Sequence, residues 1–166
     1  MSLVSEGVRA NVRPGRVRYA LGKVAPRTFG LPLHVAIDVV GADGRVKEQR
    51  RIYNTVTTAG KNGIADQVLA SPSLGKPTHM AVGTGTGGTT ALNAESDRNA
   101  LTSKTRSGAV VTMVGDWAAG DATAALTEAG VFDAGSTGNM WLYTTFSVIN
   151  KGASDTLTIT WTLTIS

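Results

Sequence analysis

The C-terminal stretch TLTITWTLTIS restricts the fold more than any other part of the chain. Leu157, Ile159, Trp161, Leu163 and Ile165 occupy alternate positions, and Thr156, Thr158, Thr160, Thr162 and Thr164 fill those between them. Successive side chains of a strand point to opposite faces, so this pattern separates an apolar face from a hydroxyl face. Thr, Ile and Trp also suit the pleated backbone. A half-buried β-strand is therefore predicted here.

Upstream segments repeat the signal less cleanly. LHVAIDVV and RVKEQRRIYNTV flank GADG, and Asp43-Gly44 between two strand-like runs predicts a hairpin, with Val46, Ile52 and Val56 turned inward. THMAV, SGAVVTMVGDW, TAALTEAGVF and NMWLYTTFSVIN are four further strand candidates. One helix is predicted in TTAGKNGIADQVLASP. Thr57 or Thr58 caps it, Ile64, Val68 and Leu69 form its apolar face, and Ser71-Pro72 stops it. Its two internal glycines weaken it and leave it dependent on packing. Strands at regular intervals with turn residues between them indicate a mainly β domain, a β-sandwich or a jelly-roll or barrel-like body, over residues 31–166. Residues 1–30 contain Pro14-Gly15 and Pro26 and no helical period, and are read as an extended basic arm.

Composition narrows the chemistry. With no Cys, the chain has no disulfide, thiolate ligand or cysteine nucleophile. No apolar run reaches the roughly 20 residues that span a bilayer, and the N-terminus lacks a signal peptide's apolar centre. A soluble protein made in the cytoplasm, with no membrane partner, is the expectation. Charge is uneven. Arg9, Arg13, Arg16, Arg18, Lys23 and Arg27 face Glu6 alone in residues 1–30, a net +5. Residues 31–56 hold four basic and three acidic groups, and residues 57–166 six and eight, for +1 and −2. A basic arm on a mildly acidic body calls for an acidic partner.

Gly83, Gly85 and Gly88 satisfy the G-x-G-x-x-G spacing of a dinucleotide-binding loop. That reading needs a βαβ unit, and TTALNAESDRNALTSKTR is a poor crossover helix. Glu95 lies too near to be the ribose-binding acid, and no G-K-[ST] follows to make a phosphate loop. The glycines are read instead as a flexible loop with tight or left-handed turns, with no cofactor. Leu92 is placed inward, and Glu95 and Arg98 are paired locally or across a subunit boundary. His34 and His79 are read as structural or solvent-facing. No G-x-S-x-G elbow orients a serine, so no catalytic residue is assigned. Asp116 and Asp121 could ligate calcium but read better as turn-formers, and no metal site is assigned. The arm's six cations could follow phosphates, yet Tyr19 and Phe29 are its only aromatics and no nucleic-acid-binding motif surrounds them. Ordering against a neighbouring protein subunit fits equally well.

Four segments in order carry a resemblance: VTTAGKNGIADQVL, PTHMAVGTGTGGTTALNAESDR, ALTEAGVFDAGSTGNMWLYTTFS and INKGASDTLTITWTLTI. Together they resemble a family of tailed-bacteriophage structural proteins over about residues 56–166. The most specific pieces are Thr127-Glu128-Ala129-Gly130-Val131-Phe132 and Ile149-Asn150-Lys151. The resemblance implies a virion component and not an enzyme. A compact domain behind a basic arm looks more like a capsid decoration (cement) protein than a tail-fibre or baseplate module. Decoration proteins of this kind imply a homotrimer on the outer shell, with the major capsid protein, and not nucleic acid, as the expected partner. Trp117, Trp141 and Trp161 then belong either between subunits or in the protomer's own core.

Overall fold

The computed structural model describes residues 34–165. In chain order its elements are β1 (His34–Val40), β2 (Val46–Tyr53), β3 (Thr55–Val56), α1 (Thr58–Asp66), β4 (His79–Gly83), β5 (Glu95–Ala100), β6 (Ser103–Ser107), β7 (Val110–Trp117), β8 (Ala124–Phe132), β9 (Met140–Lys151) and β10 (Thr156–Thr164). Two five-stranded antiparallel sheets result, ordered β2-β1-β10-β7-β6 and β3-β9-β8-β4-β5. The arm and its six cations, Arg9, Arg13, Arg16, Arg18, Lys23 and Arg27, lie outside the described residues.

Alternation builds the shared core. Val35, Ile37 and Val39 of β1 and Leu157, Ile159, Trp161 and Leu163 of β10 point inward. They meet Met80, Val82, Leu126, Val131, Leu142 and Ile149 of the second sheet. The mainly β, sandwich-like architecture is thus the expected one, and β10 is the middle strand of its sheet. Ile165 departs from the pattern. It lies past the end of β10 and is half exposed. All three tryptophans are buried among the protomer's own side chains.

The hairpin turns where Asp43-Gly44 places it. Gly44 has φ +74°, and the Asp43 carboxylate accepts the Arg45 N–H at 3.0 Å. The inward placement of Val46 is corrected. The β1–β2 register shifts at Val39/Val40, so that Val39 faces Glu48 while Val40 faces Val46. Lys47 is the extra residue, and Val46 swings outward to 59% exposure. Ile52 and Val56 do pack against the core.

The helix forms with Thr57 as its cap, the hydroxyl accepting the Gly60 N–H at 2.9 Å. Its expected apolar face is only partly right. The helix ends at Gln67, and Val68 and Leu69 lie beyond it at 85% and 59% exposure. The buried face is made by Gly60 and Gly63, which sit directly on Trp141 of β9. The glycines that weaken the isolated helix are what let it approach the sheet.

Two strands lie in the segment read only as a poor crossover helix, where no strand was predicted. β5 (ESDRNA) and β6 (SKTRS) have no apolar alternation because each is the edge of its sheet. Backbone pairing to β4 and β7 holds them, and their charged side chains guard exposed edges against pairing with another chain.

Candidate functional site

The loop from Thr84 to Ala94 joins β4 to β5 and, with Gly83 at the end of β4, carries the glycine pattern. It does hold an anion, but an internal one. Glu128 of β8 is fully buried, and its carboxylate points into the loop. One oxygen, Oε1, accepts the N–H groups of Gly85 (3.1 Å) and Ala94 (2.8 Å). The other, Oε2, accepts the Asn93 N–H (3.2 Å) and the Tyr143 hydroxyl (2.9 Å). The Gly88 N–H donates to the Tyr143 oxygen at 3.0 Å, and the Thr127 hydroxyl donates to the Gly85 carbonyl at 2.7 Å. Three backbone donors and a phenol converge on a desolvated carboxylate, where charge-assisted bonds are strongest. Burial raises the Tyr143 pKa above its ordinary value of 10.0, and the neighbouring carboxylate raises it further, so the phenol remains a donor.

The expected left-handed conformation is found in this loop at Gly87, but not at the three glycines of the pattern. Of the loop glycines only Gly87 has a positive φ, +84°. Gly85 is needed because a Cβ there would lie 2.7 Å from both the Ala94 nitrogen and Glu128 Oε1. Gly83 and Gly88 press against the carbonyls of Ala94 and Ala91. Close approach, not turn conformation, selects these glycines. Beneath the loop Leu92 packs inward as expected, in a second small cluster with Ala81, Phe132 and Met140. An open cavity of about 470 Å³ lies between the loop and the start of α1, lined by Val56, Thr57, Lys61, Gly88 and Tyr143. Its innermost hydroxyls are already engaged. Thr57 donates to Met140 O, and Tyr143 donates to Glu128.

Glu95 and Arg98 pair within the protomer, Nε to Oε1 at 3.0 Å and Nη2 to Oε2 at 2.6 Å. The same guanidinium donates to the carbonyls of Ala134 and Thr137 and lies 3.7 Å over the Phe132 ring. Arg98 thereby ties the β8–β9 loop to β5.

A second polar knot closes the opposite end of β8 and β9. The buried Lys151 ammonium donates to the carbonyls of Ala118 (3.0 Å) and Asp155 (2.8 Å), joining two turns. Burial lowers its pKa below the ordinary 10.5, against the opposing pull of Asp121, Asp155 and Asp97. The Asp155 carboxylate accepts Lys47 Nζ at 2.6 Å and the Gly152 N–H at 2.8 Å. The Lys47 bond, followed by the Gly152 bond, holds Asp155 below its ordinary pKa of 3.8. Protonation therefore favours the unfolded chain. This stabilisation is complete above pH 3.8 and is lost as pH falls through the lower folded value. Urea midpoints measured from pH 7 to pH 2 should fall in the acid range. Asp155→Asn should start lower and fall less, with a residual slope from Asp66, which its Leu74 N–H bond also holds low. An unchanged acid slope in the variant would rule out this role.

The other sequence candidates disperse. Asp116 lies in β7, not in a loop, and accepts the Thr158 hydroxyl at 2.6 Å, whereas Asp121 is in the following turn. Among the described residues no cluster of three His, Asp or Glu is arranged to hold a metal. Exposed His34 packs at a 43° tilt against Tyr53 with ring centroids 5.4 Å apart, and His79 Nδ1 lies 2.8 Å from the Thr78 hydroxyl. Sequence reasoning missed Glu128 and Lys151 as buried groups. The available signal was a lone charge inside an otherwise apolar or small strand run, ALTEAGVF and SVINKG. The fold and these two knots define a class, a two-sheet β domain whose most distinctive polar residues fasten its own loops. No family model, curated protein or solved structure matches the chain.

Proposed function

We propose that this chain is a structural virion protein of a tailed bacteriophage that binds the outer surface of the capsid as a decoration protein. It acts without catalysis, by non-covalent contacts across neighbouring major-capsid subunits. The body self-associates as a homotrimer, and the basic arm extends over the shell, where many weak contacts repeated on a lattice add through multivalency. The observation that carries this reading is the role of its two most specific sequence pieces. Glu128 in TEAGVF clamps the glycine loop, and Lys151 in INK clamps two turns. Residues that fasten loops to a β body are what a small shell component without disulfides requires.

The arm supplies the test. Full-length protein mixed with expanded heads that lack it should co-sediment with them. Residues 31–166 alone should keep the β circular-dichroism spectrum and lose head binding by at least tenfold. Normal head occupancy by the truncated chain would sink the arm's role. Binding by neither form would count against decoration altogether.

A further inference from the structure

The face of the first sheet turned away from the core has an unusual make-up. A row across its five strands reads Arg51, Ala36, Thr160, Val114, Ser103. Down its middle strand run the outward threonines of β10, and none of these residues is buried. Three charges stand on this face, and all are engaged. Asp38 is held by Gln49 (2.6 Å) and Arg51 (3.3 Å), and Asp116 by Thr158. Val46 and Tyr53 on the flanking strand are 59% and 75% exposed. A surface whose few charges are all paired shares the charge depletion of an interface core, and Val46 and Tyr53 add exposed apolar area beside it.

We propose that copies of this chain pack on one another through this face, with β10 nearest the symmetry axis. A residue at an axis meets its own copies, so a charge there repels itself. A threonine hydroxyl both donates and accepts, so three copies satisfy one another. The β10 column is threonine throughout, and the charged residues stand on β1, β2 and β7 to either side. Size agrees as well. Five strands of five to nine residues, about 4.8 Å apart and roughly 17–30 Å long, offer about 600 Å² per copy, at the lower end of the ~600–1,000 Å² per partner of standard interfaces. The inference deepens the decoration reading by naming its self-association surface, and rests on that reading only for threefold order.

The test uses the full chain without capsids. Light scattering should give a trimer for the natural sequence. Thr160→Lys/Thr162→Lys should be monomeric with an unchanged circular-dichroism spectrum, its association weakened at least 100-fold. Because the chain has no Cys, Thr160→Cys should be joined between copies by a short bismaleimide, and Ser136→Cys should not. The cysteine pair keeps the test decisive if the lysine variant fails to fold. A natural chain that is monomeric, a double variant that stays oligomeric, or an oligomer in which Thr160→Cys is not joined would overturn the inference. A dimer that the lysines dissociate would support the surface and remove the threefold order. A monomer that still binds heads would refute this inference alone, and an oligomer absent from heads would refute only the decoration reading.

Discussion

Glu128→Ala is expected to lower unfolding free energy by about 3–5 kcal/mol, the combined cost of several buried donors left without an acceptor. The substitution leaves the N–H groups of Gly85, Asn93 and Ala94 and the Tyr143 hydroxyl without their acceptor. Each unsatisfied buried donor costs about 1–3 kcal/mol, reduced where the loop opens to water. Glu128→Gln keeps one carbonyl oxygen but sets an NH₂ group among donors, and should lose roughly 2–3 kcal/mol. Glu95→Gln, at a partly exposed pair, should change little. Denaturant midpoints give the magnitudes, and amide exchange gives the location. In Glu128→Ala the amides of Gly85, Asn93 and Ala94 should lose protection while those of β10 keep it up to the global limit. A loss below about 1 kcal/mol, with protected loop amides, would mean that the carboxylate does not hold the loop.

Gly60→Ala separates helix propensity from packing because the two give opposite signs. In an exposed helix the change would add about 1 kcal/mol of stability. Here the new methyl would collide with the Trp141 carbonyl, a backbone atom fixed in β9, and a loss of about 2–3 kcal/mol is expected. Gly63→Ala meets the Trp141 ring instead. Its loss should shrink by at least half in a Trp141→Leu background, while that of Gly60→Ala should not. A double-mutant cycle reads this difference directly. Stabilisation by Gly60→Ala would show that the helix stands farther from the sheet than described.

These two sites also mark what the sequence revealed and what it hid. The β10 alternation was legible because every residue on each face obeys one rule, and burial follows it from Leu157 to Leu163. The Asp43-Gly44 turn was legible because its chemistry is local. Val46 misled because a single bulge residue, Lys47, reverses the face of everything before it. β5 and β6 were hidden because edge strands are held by backbone bonds, and their side chains carry no burial pattern. Gly60 and Gly63 were read through helix propensity, whereas their role depends on Trp141, distant in sequence. The glycine loop was half legible. Its backbone donors do converge on an anion, but the anion is Glu128, forty-three residues beyond Gly85. Local spacing could not reveal that partner.

The central claim concerns where the protein works, and locating it on intact particles tests that most directly. Purified virions separated into heads and tails, then probed with antibody against residues 34–165, should carry the protein on the outer surface of heads in a regular, many-copy array. Protein confined to tails would assign the domain to a fibre or baseplate, and protein absent from virions would contradict a structural role.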